Sequence, residues 1–503
     1  MSSRNLLTTF AAAAMLTSTA FPSWADKATD TLRVAFPKQL ESLNPYVATA
    51  REMVVMARHV WDGLLYRDPN TGEYLGNLAK SFQWVDETTL EFELREDVVF
   101  HNGEAFDADD VVFTLNWIAE PANGVSNQST VNWIDSAEKT GPYAVRLKLK
   151  KVFPAALEYL SGPIVMFPKE YFNEVGPVGM GLEPVGTGPY RIVEVEPGSR
   201  YVLERNENYF AGPKGTPAIN KIVWKTIPER NTQFAELLSG GIDWIWQIPA
   251  DQAEQLGYGY TVANEPTMRV GYLSFDAAGR SGDNPLTDFR VRKAIAHAIH
   301  REAIVDELLK GKSKVLHSAC FPSQLGCSEN VVNYDYDPER ARQLLTEAGY
   351  PDGLTIPFYA YRDREYAEAM IGNLASVGIT VDFSYMKYAA LRDLDHSGEI
   401  PFKFMTWGSN SINDVSAITS HFFRKGKDDY ALDDDVADWL EAADNSIDVE
   451  LRTANYEQAL KKIADEIYWL PLWSYNTNYV YINELEFKPY PDEIPRFYAA
   501  SWK

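Results

Sequence analysis

From Leu354 to Trp407 the chain reads strand, helix, strand, helix, strand: "LTIPFYAY" (354–361), "REYAEAMIGNLASVG", "ITVDFSYM" (379–386), "YAALRDLDHSG" and "FKFMTW". Parallel strands joined by helices leave their loops, and often their ligands, at the strand C-terminal ends. Trp407 stands at such an end, ahead of Gly408, Ser409, Asn410, Ser411, Asn413 and Asp414, with Ile412 between them. An indole needs a large apolar contact and a partner for its N–H, whereas this loop offers mostly hydrogen-bonding groups. Two readings stay open: Trp407 caps a core above a solvated turn, or it faces a ligand that is part polar and part aromatic.

Upstream the texture is different. "TLRVAF" (31–36) alternates as a strand, "LNPY" turns, and a helical run follows from Glu52 to Leu64. "LEFELRED" (90–97), "YAVRLKLK" (143–150), "RYVLERN" and "KIVWKTI" read as further strands. Asp107 reads as an N-cap with Asp109 and Asp110 in the first turn, and Asp337-Pro338 as an N-cap and first helical residue. Thr287 is expected to cap one helix from Asp288 to Lys310 that stops at Gly311. The chain is expected to pass between lobes near 265–272 and again, through "LPLWSYNTNYVYI", near 472–480. Two crossings make a hinge.

Residues 1–25 have the form of a secretory leader: Arg4, an apolar stretch from Leu6 to Leu16, and Ser23-Trp24-Ala25 before a cleavage point after Ala25. No later run approaches the ~18 apolar residues of a membrane span. The expected location is the periplasm. A net charge of −24, one unit more negative without Arg4, argues against nucleic acid as a partner. The two cysteines, Cys320 and Cys327 in "CFPSQLGC", are expected to close a short disulfide loop in an oxidising compartment.

Signals for chemistry are sparse. His297 and His300 share a helix without a third metal ligand, and "GKS" at 311–313 fails as a phosphate loop because Asp306 stands where glycine is required. No G-x-S-x-G or H-E-x-x-H occurs. No catalytic residue, cofactor or metal is expected.

The run "LAKSFQWVDETTLEFELREDVVFHNGEAFDADDVVFTL" (78–115), followed in order by "GTGPYRI", "RNENYF", "VRKAIAHAIHREAI" and "YDYDPERARQLLTEAGYPDG", resembles the family 5 extracellular solute-binding proteins of ABC importers. The resemblance implies an α/β, periplasmic-binding-protein-like fold of two lobes and a hinge. Its first lobe (26–270) carries a subdomain at about 62–185, the second spans 271–475, and 476–503 returns to the first. It implies a monomer that captures a short peptide or a peptide-like or opine-like solute and presents it to permease subunits. The alternatives are a secreted hydrolase and a peptide-binding chaperone.

On that resemblance Trp407 becomes a ligand contact. The aspartate that pairs with a peptide amino group in many peptide binders is replaced by Asn410, which forfeits a charge-assisted bond. Asp414 stands where nickel-chelate binders have histidine, and either takes over the amine or is a turn residue. Arg362 occupies a position resembling the carboxylate-binding arginine of dipeptide binders; Arg269 sits in the first crossing. For both arginines a surface or interlobe salt bridge is the alternative. Asn413, Tyr46 and Met53 complete the candidate ligand set.

Overall fold

A computed structural model describes residues 29–503 except Thr49 and Glu254; the expected leader lies outside the described residues. Ten strands form one continuous sheet, and its centre is what positions the site. Two long strands, Tyr260–Phe275 and Trp469–Ile482, run antiparallel to each other through the middle. To one side lie Trp244–Trp246, Thr31–Phe36, Lys221–Thr226, Arg200–Arg205 and Tyr190–Glu196; to the other lie Phe402–Trp407, Leu354–Ala360 and Ile379–Tyr385.

Leu354–Ala360 and Ile379–Tyr385 pair in parallel, as the helix-linked pattern requires. Phe402–Trp407 pairs in parallel with the former at Tyr359 and Lys403, but antiparallel with the long strand, Val270 opposite Trp407. A separate four-stranded antiparallel sheet is built from Ala79–Asp86, Thr89–Leu94, Ala144–Leu149 and Ile134–Gly141.

The long strands change hydrophobic core along their length. Leu470, Leu472 and Trp473 pack with Phe404 in one core and Trp469 with Tyr272 in a second, whereas Tyr479 and Tyr481 join Trp224, Trp244 and Phe36 in a third. In that core Phe36 stacks on Trp224 at 3.8 Å. One strand pair thus enters three apolar clusters and ties them to a common backbone ladder. Between Pro266 and Val270 the ladder shifts register. Pro266 has no N–H to donate, and such an irregularity re-aims the side chains within it, here those of Thr267 to Arg269.

Local capping follows the sequence closely. Asp107 accepts the Asp109 N–H at 2.7 Å while the Asp110 carboxylate accepts the Asp107 N–H at 3.0 Å; Asp337 caps the helix that Pro338 opens. The long helix expected from Asp288 is interrupted. It runs Phe289–Ala298 with Asp288 itself as N-cap, breaks at Ile299 and His300, resumes at Arg301–Ile304 and widens into a π turn that ends at Lys310. Arg301 explains the break: its buried guanidinium bonds the carbonyls of Leu316, Tyr334 and Pro471, which fixes that residue off the straight helical path.

Two histidines, one buried and one half-buried, give the fold a pH dependence. His59 donates from Nδ1 to the Val55 carbonyl and accepts the Phe497 N–H at Nε2; burial pushes its pKa down to about 3. His101 is depressed to about 4, again by burial. The native state refuses protons that the unfolded chain takes up near pH 6.5, so stability is complete above that pH and falls as pH drops towards 4. His59→Asn is expected to flatten this loss by up to about 1.4 kcal/mol per pH unit. Urea titrations at pH 7, 6 and 5 check it; parallel pH profiles for both proteins would show that His59 is not a source of the loss.

Candidate functional site

A cavity of about 410 Å³ lies between the helix Arg51–Val60, the short helix Ala156–Leu160, the C-terminal segment 492–498 and the loop 410–413. Both sides of the long strands contribute to its walls, and Arg269 reaches it from the register shift at Pro266.

The loop after Trp407 has an unusual backbone. Ser409, Asn410 and Ser411 adopt φ of 50°, 51° and 61° in succession, a left-handed run that costs on the order of 1–2 kcal/mol per residue without glycine. Such conformations persist only where surroundings over-determine them. Here Ile412 N–H bonds the Ser409 carbonyl at 2.8 Å, and the Ser411 hydroxyl donates to the Asp492 carbonyl at 2.9 Å while meeting the Arg51 guanidinium. The Asn413 N–H donates to Glu158 across the cavity at 3.1 Å.

The cysteine loop braces the same segment. Cys320 and Cys327 form a disulfide, and within the loop they close Leu325 exchanges backbone hydrogen bonds with Asn413 and Val415. Buried Gln324 donates to the Ile412 carbonyl at 3.0 Å. Reduction, or Cys320→Ser with Cys327→Ser, is expected to cost up to about 2–3 kcal/mol of stability and to weaken solute binding several-fold while leaving the fold intact. Denaturant midpoints and calorimetric titration of oxidised and reduced protein measure both; equal affinities would mean the loop 410–413 holds its shape without the brace.

Of the residues singled out in the sequence, Tyr46, Met53, Arg269, Asn410 and Asn413 line the cavity. The Tyr46 hydroxyl is already engaged with the Val165 backbone. Trp407 does not reach the lining. Its indole N–H donates to the Ala417 carbonyl at 2.8 Å, and its ring stacks on His421 at 4.7 Å and meets Phe422 edge-on. Asp414 is buried in an ion pair with Arg452 at 2.7 Å and caps the turn at Ser416, so its carboxylate is not offered to an amine. Arg362 also lies outside the lining: it bonds its neighbour Asp363 at 2.7 Å and covers the Tyr475 ring.

The strongest charges in the cavity carry no such signal in the sequence: Arg51, Arg58, Arg67, Lys214, Arg496 and Glu158. Arg51 and Arg58 lie seven residues apart, with Val54 between them on the same helical face, a pattern that in isolation describes a solvated stripe. Burial pushes the Glu158 carboxyl up against the pull of Arg67, and pushes the Lys214 ammonium down despite its pair with Asp62. Burial also lowers Arg58, with Arg496 adding to it.

A cavity walled from both sides of a paired-strand crossing is the arrangement of a two-lobed ligand receptor, and comparison with known proteins gives the family. The profile described as "Bacterial extracellular solute-binding proteins, family 5 Middle" matches residues 73–429, and the chain belongs to that family. The glutathione-binding protein GsiB of Pectobacterium atrosepticum is 29% identical over 382 residues, 74% of this chain and 71% of that protein. HbpA2 from Haemophilus parasuis superposes with a TM-score of 0.83 at 22% identity, covering 94% of this chain and all of that one (100%). The periplasmic binding protein DppA from Helicobacter pylori, solved with the peptide STSA and described as ABC transporter-associated, gives 0.75 at 22% identity over 94% and 98%. The chain is a solute-binding protein with the two-lobed fold of these structures. Its family is one of receptors rather than enzymes, and among the described residues no helix is long and apolar enough to cross a membrane.

Proposed function

We propose that this protein is the periplasmic receptor of an ABC importer, capturing a short peptide or a peptide-like, opine-like solute and handing it unchanged to the permease. The observation that carries the reading is the set of contacts that bridge the cavity: Asn413 to Glu158, and Ser411 to Arg51 and Asp492. A space of about 410 Å³ bridged in this way suits a small solute rather than a long unfolded chain, which favours the receptor over the chaperone. The relatives that bind glutathione and a tetrapeptide point the same way.

In this reading the leader is removed after Ala25, and the long strands form the hinge between a first lobe (26–270, with a subdomain at about 62–185), a second lobe (271–475) and a returning tail (476–503). Tyr46, Met53, Arg269, Asn410 and Asn413 touch the solute, and the receptor works as a monomer without catalysis. Thermal-shift titration with di- and tripeptides, glutathione and N-carboxyalkyl amino acids tests it. A ligand present at about 100 times its Kd raises stability by about 2.7 kcal/mol and is recovered intact; cleavage of the ligand would favour a hydrolase.

A further inference from the structure

Six cationic side chains line the cavity: Arg51, Arg58, Arg67, Lys214, Arg269 and Arg496. Four have a carboxylate of their own. Arg51 faces Glu493 at 3.6 Å, Arg67 faces Glu158 at 3.1 Å, Lys214 faces Asp62 at 2.6 Å and Arg496 faces Asp492 at 2.5 Å. Among the described residues Arg58 and Arg269 have none within 4.0 Å. Each guanidinium carries five N–H donors. Arg58 uses one on the Ser161 carbonyl at 3.3 Å and Arg269 one on the Thr406 hydroxyl at 3.2 Å.

Both arginines rest against glycine. A Cβ on Gly162 would come within 2.5 Å of the Arg58 guanidinium, and one on Gly408 within 3.1 Å of that of Arg269. The backbone thus leaves room for two flat cations at separate places in the wall. The chain as a whole has a charge of −24, so carboxylates were available to neutralise them. Arg58 feels Asp492 and Glu158 only at a distance, each already paired with another arginine, and a partly buried cation without a direct partner becomes more favourable when a ligand supplies the anion.

The acids of the cavity are already paired. Glu158 and Asp492, the two that line it, are each engaged by an arginine. The loop position of an amine-binding acid is occupied by Asn410, and Asp414 is held by Arg452. Among the described residues each lining carboxylate thus has an arginine beside it, although Glu158 Oε1 accepts no hydrogen bond. Resting on the receptor reading above, we infer that the solute carries two carboxylates, one for Arg58 and one for Arg269, and no free primary ammonium: an N-substituted dicarboxylic amino acid or peptide.

The test is calorimetric titration of the full mature chain with N-acetyl-aspartate, N-acetyl-glutamate and N-acetyl-alanyl-glutamate. Each is set beside its side-chain amide and its free-amine parent, and simple di- and tripeptides are included. The best dicarboxylate is expected to bind at least tenfold more tightly than its amide and its free-amine form. Arg58→Met and Arg269→Met should each abolish the preference over the amide, with Arg58→Lys restoring part of it. The apo melting temperature should hold or rise in Arg58→Met, because a cation beside Arg496 is removed; a purely structural arginine would lower it. Equal binding of dicarboxylates and amides, or tighter binding of free-amine peptides, overturns the dicarboxylate inference and leaves the receptor reading standing. Binding of none of these compounds overturns the dicarboxylate inference and the peptide-like solute proposed above, while the membership in the solute-binding family stands.

Discussion

Arg452→Met is expected to lower the stability of this protein by about 3–5 kcal/mol, the loss typical of breaking a buried ion pair. Asp414 and Arg452 are both buried, and removing one partner leaves the other as an uncompensated charge. Arg452 also donates to the Ala443 carbonyl and the Tyr456 hydroxyl, and Tyr456 donates to Asp444, so the loss spreads through one network. The double variant Asp414→Asn with Arg452→Met should recover much of the deficit, because no bare charge then remains. Urea titration of the two single variants and the double variant gives the coupling; additive losses would show that the two residues act independently. Solute affinity should fall in Arg452→Met as well, since Asp414 directly follows the cavity-lining loop 410–413.

Trp407→Ala is expected to cost about 3 kcal/mol of stability, the lower part of the range for removing a packed aromatic, because the ring is half-buried. It takes away the stack on His421, the edge contact with Phe422 and the bond to the Ala417 carbonyl. The protein that remains folded should bind its solute with little change, since the indole lies outside the cavity lining. Denaturation and titration on one preparation separate the two effects. A tenfold loss of affinity with unchanged stability would return Trp407 to the ligand.

The fold is largely readable in the sequence because its signals are local. Alternation locates Leu354–Ala360, Ile379–Tyr385 and Phe402–Trp407 to within a residue, and Asp107 and Asp337 mark helix starts through side-chain bonds that span three residues. The helix from Asp288 reads as continuous because the carbonyls that hold Arg301, at Leu316, Tyr334 and Pro471, come from distant segments.

The cavity is readable only in part for the same reason. Arg269 announces itself by its place in a crossing, and the register shift beside Pro266 turns it inward. Arg362, two residues beyond a strand end, is equally well placed in the sequence, but Asp363 at φ 50° brings its carboxylate onto that guanidinium and onto the Tyr475 hydroxyl. Arg58 and Arg496, far apart in sequence, become neighbours only when the C-terminal segment packs beside the helix Arg51–Val60. A charge surplus assembled from such distant pieces has no sequence pattern of its own.

Capture of one intact solute in this cavity is the central claim, and native mass spectrometry of protein released from the periplasm without refolding addresses it most directly. The expected result is a single non-covalent adduct that is released unchanged in mass, carries two carboxylates, and is absent from the Arg58→Met, Arg269→Met double variant. Release of cleaved products, or no adduct at all, would contradict it; an intact adduct that persists in that variant would contradict only the two-carboxylate assignment.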